Sequence, residues 1–236
     1  MARCILIYGQ PGSGKTYSMR NLDPASTVII DADKKGALPW RGWRKNYSQE
    51  NKNFFKLNAL DKITDALKRI GRKPENGYIK NFVIDGLNNA MIDEKVYYNE
   101  RNNTRNGFEK YEAIRDKVYK LIDAAQDLRD DLNVVITAHV VTADPYVDTD
   151  VDRIFTPGKA LEKEIKVESK FVYVFYSKVV TAENGAMDFY FETIPNRSTA
   201  RSPEGCFSSK IPNDIDAALK IIDQYETTEK GGTDND

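Results

Sequence analysis

The chain has 236 residues, 40% hydrophobic and 30% charged, with a formal net charge of -1 and a single histidine. That length suits one sizeable domain and would cramp a second, and the near-neutral charge excludes the overall basic surplus by which nucleic-acid binders usually announce themselves. No apolar run approaches the roughly 20 residues needed to cross a bilayer, and the chain opens directly into a strand rather than a leader, so a cytoplasmic protein with no membrane partner is expected.

The first strand, Arg3 to Tyr8, runs straight into Gly9-Gln10-Pro11-Gly12-Ser13-Gly14-Lys15-Thr16, a complete G-x-x-x-x-G-K-[ST] phosphate loop. Glycines in that pattern turn successive backbone N–H groups inward at a polyphosphate, and a helix expected from Lys15 to Asn21 would add its positive end. Lys15 is expected to reach the β and γ phosphates. Thr16 is expected to hold Mg²⁺ through its hydroxyl, since a hard cation bridging phosphates takes oxygen ligands. Gly9, Gln10, Pro11, Gly12, Ser13, Gly14, Lys15, Thr16 and Tyr17 therefore form the expected nucleotide-binding stretch. A ligand-free glycine turn would not require Lys-Thr after its last glycine.

A second strand, Thr27 to Asp31, ends in acids. Ligands of parallel sheets sit at the carboxyl ends of strands, so Asp33 or Asp31 can orient a water against the γ phosphate; the alternative is a solvated turn into Lys34-Lys35-Gly36. Trp40 to Tyr47 interleaves aromatics with cations, a pattern that suits stacked bases and phosphates, or equally a subunit contact or local packing. Asn53 to Leu57 reads as a strand, Leu60 to Ile70 as a helix, and Asn81 to Asp85 as a strand. Asp85 closes an apolar run 70 positions after Lys15, the form of a second metal-binding element. Asn99 to Gly107 then carries Arg101 and Arg105 among four asparagines.

Phe108 to Leu132 is the clearest helix, with Tyr111, Ile114, Val118, Leu121, Ile122, Ala125 and Leu128 in one stripe. The strand that follows ends Thr137-Ala138-His139, and its histidine is either a γ-phosphate sensor or a satisfied structural residue. Asp144, Asp148, Asp150 and Asp152 outnumber Arg153 and Lys159 nearby and would repel phosphate, so either Lys159, Lys163 and Lys166 bind nucleic acid or this loop has another purpose. Lys170 to Val180 and Ala186 to Ile194 form a hairpin around Ala182-Glu183-Asn184-Gly185, and Asn213 is placed to cap a last helix with Ile215, Leu219 and Ile222 inward. Residues 1–224 are expected to form one α/β core, a mainly parallel sheet flanked by helices with an antiparallel hairpin extension, and 225–236 a disordered tail.

The order of these elements resembles the RecA-like ATPase core, most closely the compact phage ATP-binding proteins associated with single-strand annealing and recombination. The resemblance spans about residues 3–211 and rests on Gly9 to Thr16, on Ile30-Asp31-Ala32-Asp33 (where the family pattern has Ile-Asp-Ala-Glu), on Phe82 to Gly86, on Ile136 to Val140 and on Pro157 to Leu161. It implies ATP and Mg²⁺ as ligands, Asp33 as catalytic acid, Asp85 as metal-binding acid, and His139 where the family senses nucleotide with glutamine. It places DNA loops around Arg101, Arg105 and Lys159. It also implies arginine fingers delivered from a neighbouring subunit, for which Arg197 and Arg201 are candidates, with Lys178 a further one; such fingers add roughly 10³ to 10⁵ in rate in related systems. The implied partners are single-stranded DNA, copies of the same chain in a ring or filament, and a single-strand-binding or replication protein. Two alternatives share the phosphate loop: a small-molecule or nucleotide kinase, and an accessory loader ATPase with a protein partner. No Asn-Lys-x-Asp motif follows to read guanine.

Overall fold

A computed structural model describes residues 1–101, 109–142, 151–157, 166–182 and 184–230. Five strands lie parallel to their neighbours because each is an apolar run with both faces covered: β1 (Arg3–Gly9), β2 (Thr27–Asp31), β3 (Phe54–Phe55), β4 (Asn81–Asp85) and β5 (Asn133–Val141). β6 (Arg153–Ile154) folds back antiparallel on the end of β5, pairing Val140 with Ile154. β7 (Tyr173–Thr181) lies parallel to β1 and turns into antiparallel β8 (Met187–Glu192), followed by β9 (Lys210–Pro212). The sheet order is β3-β2-β4-β5-β1-β7-β8-β9. One strand, β5, therefore separates the phosphate-loop strand β1 from the acid-bearing strand β4. This is the expected mainly parallel sheet with an antiparallel hairpin extension.

The two sheet faces bury different helices, following the alternation along each strand. Leu6, Tyr8, Ile30, Phe82 and Ile84 point to one face, packed under α2 (Leu60–Arg72), α3 (Leu87–Arg101) and α4 (Glu109–Gln126). Ile5, Ile7, Ile29, Val83 and Phe175 point to the other, covered by Met19, Leu22 and α5 (Ile215–Lys230). Glu94, buried on α3, accepts from the backbone N–H of Leu60 at 3.3 Å and pairs with Lys117 of α4 at 2.8 Å, which ties the three helices together. Among the described helices none is long and apolar enough to cross a membrane. Cys4 and Cys206 are both buried.

Several expectations are corrected. The helix after the phosphate loop is only a 3₁₀ turn, Tyr17–Met19. Pro24 disfavours helix at Asp23, whose carboxylate instead caps a turn by accepting from Ala25 N (3.1 Å) and Ser26 Oγ (2.8 Å). α4 stops at Gln126 rather than Leu132, and Arg129 beyond it donates to the carbonyls of Asn76, Gly77 and Ile79. Asp214, not Asn213, caps α5, accepting from Asp216 N at 3.1 Å and Ala217 N at 3.3 Å. The tail expected over 225–236 is helical as far as Lys230, because Glu226 accepts from Arg3 Nε (2.8 Å) and Tyr173 OH (3.3 Å) and so holds the helix end to β1 and β7.

Trp40 and Trp43, flanking the start of the short helix α1 (Trp43–Asn46), are partly buried against the second core, Trp40 edge-on to Tyr47 at 5.9 Å and Trp43 tilted on Phe54 at 5.5 Å. Local packing therefore accounts for the aromatic part of that stretch.

Candidate nucleotide site

At the carboxyl ends of β1, β2, β4 and β5 lies a cleft of ≈ 750 Å³, lined among others by Gly12, Lys15, Thr16, Asp33, Asp85 and His139. That volume is in the range of small-molecule and cofactor sites, about 300–1,000 Å³. Gly12 (φ 80°) and Gly14 (φ 92°) take the left-handed backbone that lets the loop curl, and Ser13 N closes it on Gln10 O at 3.1 Å. Because only one 3₁₀ turn follows, a phosphate bound here would meet the loop's own backbone N–H groups and Lys15, with little help from a helix dipole. Lys15 Nζ donates to the carbonyls of Gly9 and Gln10, both at 2.9 Å. Burial is the main influence on that ammonium and lowers its pKa to about 8, against the pull of Asp85. A polyanion in the cleft would stabilise its charged form.

Thr16 and Asp85, the pair expected to bind metal, are in contact. Thr16 Oγ1 donates to Asp85 Oδ2 at 2.8 Å, and Thr137 Oγ1 donates to Asp85 Oδ1 at 2.7 Å while accepting from Gly86 N at 2.9 Å. Burial pushes the Asp85 carboxyl up, and the Thr137 and Thr16 hydrogen bonds with the Lys35 charge oppose this. A carboxylate buried with a hydroxyl beside it suits Mg²⁺, which binds through one or two protein oxygens and completes its shell with substrate phosphates and water. Among the described residues no group of three or more His, Cys, Asp or Glu could hold a metal ion.

Asp31 and Asp33 separate cleanly. The Asp31 carboxylate accepts from the backbone of Lys35 (3.2 Å) and Gly36 (2.6 Å), so it builds the turn. Asp33 lines the cleft with a side chain only 3% exposed, accepts from Asn89 Nδ2 at 2.6 Å and pairs with Lys35 Nζ at 2.6 Å. Gly86 makes room for it: a Cβ there would stand 1.9 Å from Asp33 Oδ1. His139 lines the same cleft, its backbone N–H donating to Asn88 Oδ1 and its buried Nδ1 without a partner among the described residues. Burial, then the Lys15 charge, lowers its pKa, so it is neutral near pH 7. Tyr17, Phe189, Ala37, Leu38 and Pro39 supply an apolar stretch of wall suited to a base, Tyr17 and Phe189 lying 6.4 Å apart.

The arginines expected to reach a neighbouring subunit lie outside this chain's own cleft. Arg197 is exposed with φ 50°, and the Arg201 guanidinium donates to Glu168 O; neither lines the cleft. Lys178 pairs with Glu192 at 2.6 Å. Arg101 ends α3, and Arg105 and Lys159 lie outside the described residues. Among the cleft residues that the motifs do not reveal are Lys35, Asn89, Thr137 and Phe189. Thr137 alone left a trace, as the one hydroxyl in the buried run Val134 to Ala138.

The fold and the cleft define a P-loop ATPase core. A family model described as an AAA domain (AAA_24) matches residues 1–185, and the chain belongs to that family. No curated protein matches it. Among solved structures, the flagellar accessory protein FlaH from Methanocaldococcus jannaschii is similar at 11% identity and a TM-score of 0.45, over 89% of this chain and 83% of that one, a likeness too distant to carry an argument here.

Proposed function

We propose that the chain hydrolyses ATP with Mg²⁺ in this cleft and couples the reaction to single-stranded DNA as a homo-oligomer, in phage-type annealing or recombination. The observation that supports the chemistry is the convergence of Lys15, Thr16, Asp85 and Asp33 on one wall-to-wall site. Lys15 and the loop N–H groups bind the phosphates. Thr16 and Asp85 hold the Mg²⁺, which when bound would neutralise charge on the phosphate oxygens. Asp33 takes a proton from water as the water oxygen bonds to the γ phosphorus; the bond to the bridging oxygen breaks and ADP leaves with its electron pair. His139 faces the same space as a neutral group able to follow the loss of phosphate.

The DNA and oligomer parts rest on the RecA-like resemblance, with Arg101 at the end of α3 as a DNA contact and exposed Arg197 as the finger best placed for a neighbour. ATP hydrolysis measured with and without single-stranded DNA tests both. Stimulation by DNA is expected. Indifference to DNA with phosphoryl transfer to a nucleotide acceptor would replace this reading with a kinase, and stimulation only by a protein partner would replace it with a loader.

A further inference from the structure

We infer that Lys35 is a second phosphate-binding cation of this cleft, one that leaves Asp33 for the γ phosphate when a triphosphate is bound. The turn that carries it is built to aim it. Asp31 fixes the backbone of Lys35 and Gly36, Lys34 adopts φ 56°, which is uncommon for a non-glycine residue, and Gly36 adopts φ 70°. The result brings Lys35 Nζ to 2.6 Å from Asp33 Oδ2, in the same cleft as Lys15 and Thr16. Its side chain is 54% exposed whereas that of Asp33 is 3% exposed, so the ammonium can swing while the carboxylate stays.

Paired with Lys35 and Asn89, Asp33 has both of its oxygens engaged, which blocks the approach of a water. A γ phosphate offers the same ammonium a denser negative charge a short distance away. Transfer of Lys35 to that phosphate would leave Asp33 held by Asn89 alone and free to accept a proton. The base is then masked until a triphosphate arrives, and a diphosphate, lacking the γ group, leaves it masked. This rests on the proposal that the cleft binds ATP.

The test is equilibrium binding of Mg²⁺ with ADP and with a non-hydrolysable ATP analogue to wild type, K35Q and K35R. K35Q is expected to lose about 10- to 100-fold in affinity for the analogue and less than about twofold for ADP, with K35R recovering part of the loss. Equal affinities in wild type and K35Q, or equal losses for both nucleotides, would overturn the role of Lys35 while leaving the site itself intact. Wild type that binds neither nucleotide would overturn the ATP reading and this inference with it. Should K35Q unfold through the unpaired Asp33, the comparison of D33N with D33N/K35Q, which buries no lone carboxylate, reads the same triphosphate-specific loss.

Discussion

Replacing Gly86 with alanine tests how tightly the site is specified, because the added methyl would fall where Asp33 already is. The new Cβ would stand 1.9 Å from Asp33 Oδ1, 2.5 Å from its Cγ and 3.1 Å from its backbone nitrogen. Ordinary contacts between carbon atoms lie near 3.5 Å, so the carboxylate must withdraw by about 1 Å or more. That movement breaks the 2.6 Å hydrogen bond from Asn89. The φ of 107° at Gly86 adds backbone strain of about 1–3 kcal/mol for any residue with a side chain. With a charge-assisted hydrogen bond contributing about 1.5–3 kcal/mol, the folded state should lose about 2.5–6 kcal/mol; the Lys35 pair, whose lysine is half-exposed, adds little. Catalysis should fall by roughly 10²-fold or more, since a misplacement of about 1 Å is enough for that. Denaturant unfolding gives the first quantity and single-turnover ATP hydrolysis the second, with nucleotide affinity kept within a few-fold. In a double-mutant cycle, D33N should add little to G86A, because both act through one carboxylate. Full activity in G86A, or fully additive losses, would refute the geometry.

T137V removes a donor from a buried carboxylate and leaves Gly86 N unpaired, so a stability loss of about 2–4 kcal/mol is expected. Because burial already raises the Asp85 pKa and Thr137 opposes this, the T137V penalty should shrink as pH falls and Asp85 takes a proton; unfolding curves against pH check the sign. ATP affinity should depend on Lys15 in the alkaline range: with its pKa lowered to about 8 in the free protein and raised again by phosphate, binding takes up a proton and weakens up to about tenfold per pH unit above pH 8. A flat affinity from pH 7.5 to 9.5 would count against that role. Mixing wild type with Arg197→Ala or Arg201→Ala subunits should depress activity beyond the diluted fraction if either arginine works on a neighbour's site, and a fully active monomer would end that idea.

The parts legible in the sequence were those fixed by local spacing. The phosphate loop, the strand ending at Asp85 and the strand bearing the Asp31 and Asp33 acids each declare themselves within a few residues, and sheet order then brings Asp31 opposite Asp85. What escaped depends on tertiary placement. Lys35 reads as one cation in a solvated turn until Asp31 is seen to fold that turn back. Asn89 lies on α3, whose apolar residues form no single stripe, with Ala90 and Met91 buried but Ile92, Val96 and Tyr97 exposed, so the helix itself was not anticipated. Asn213 looked like a cap by composition, yet it is buried and donates to Ser177 Oγ at 3.0 Å, which in turn donates to Ser13 O of the phosphate loop at 2.7 Å. Short polar residues at a helix start are ambiguous by one position, and only packing decided between Asn213 and Asp214.

In the proposed reaction Asp33 serves as the base for a triphosphate held by Gly9 to Thr16. Single-turnover hydrolysis of ATP by wild type and D33N, with ATP affinity measured on the same samples, tests it most directly. Affinity unchanged within about threefold and a rate lower by roughly 10²-fold or more are expected in D33N. Unchanged turnover in D33N would contradict it.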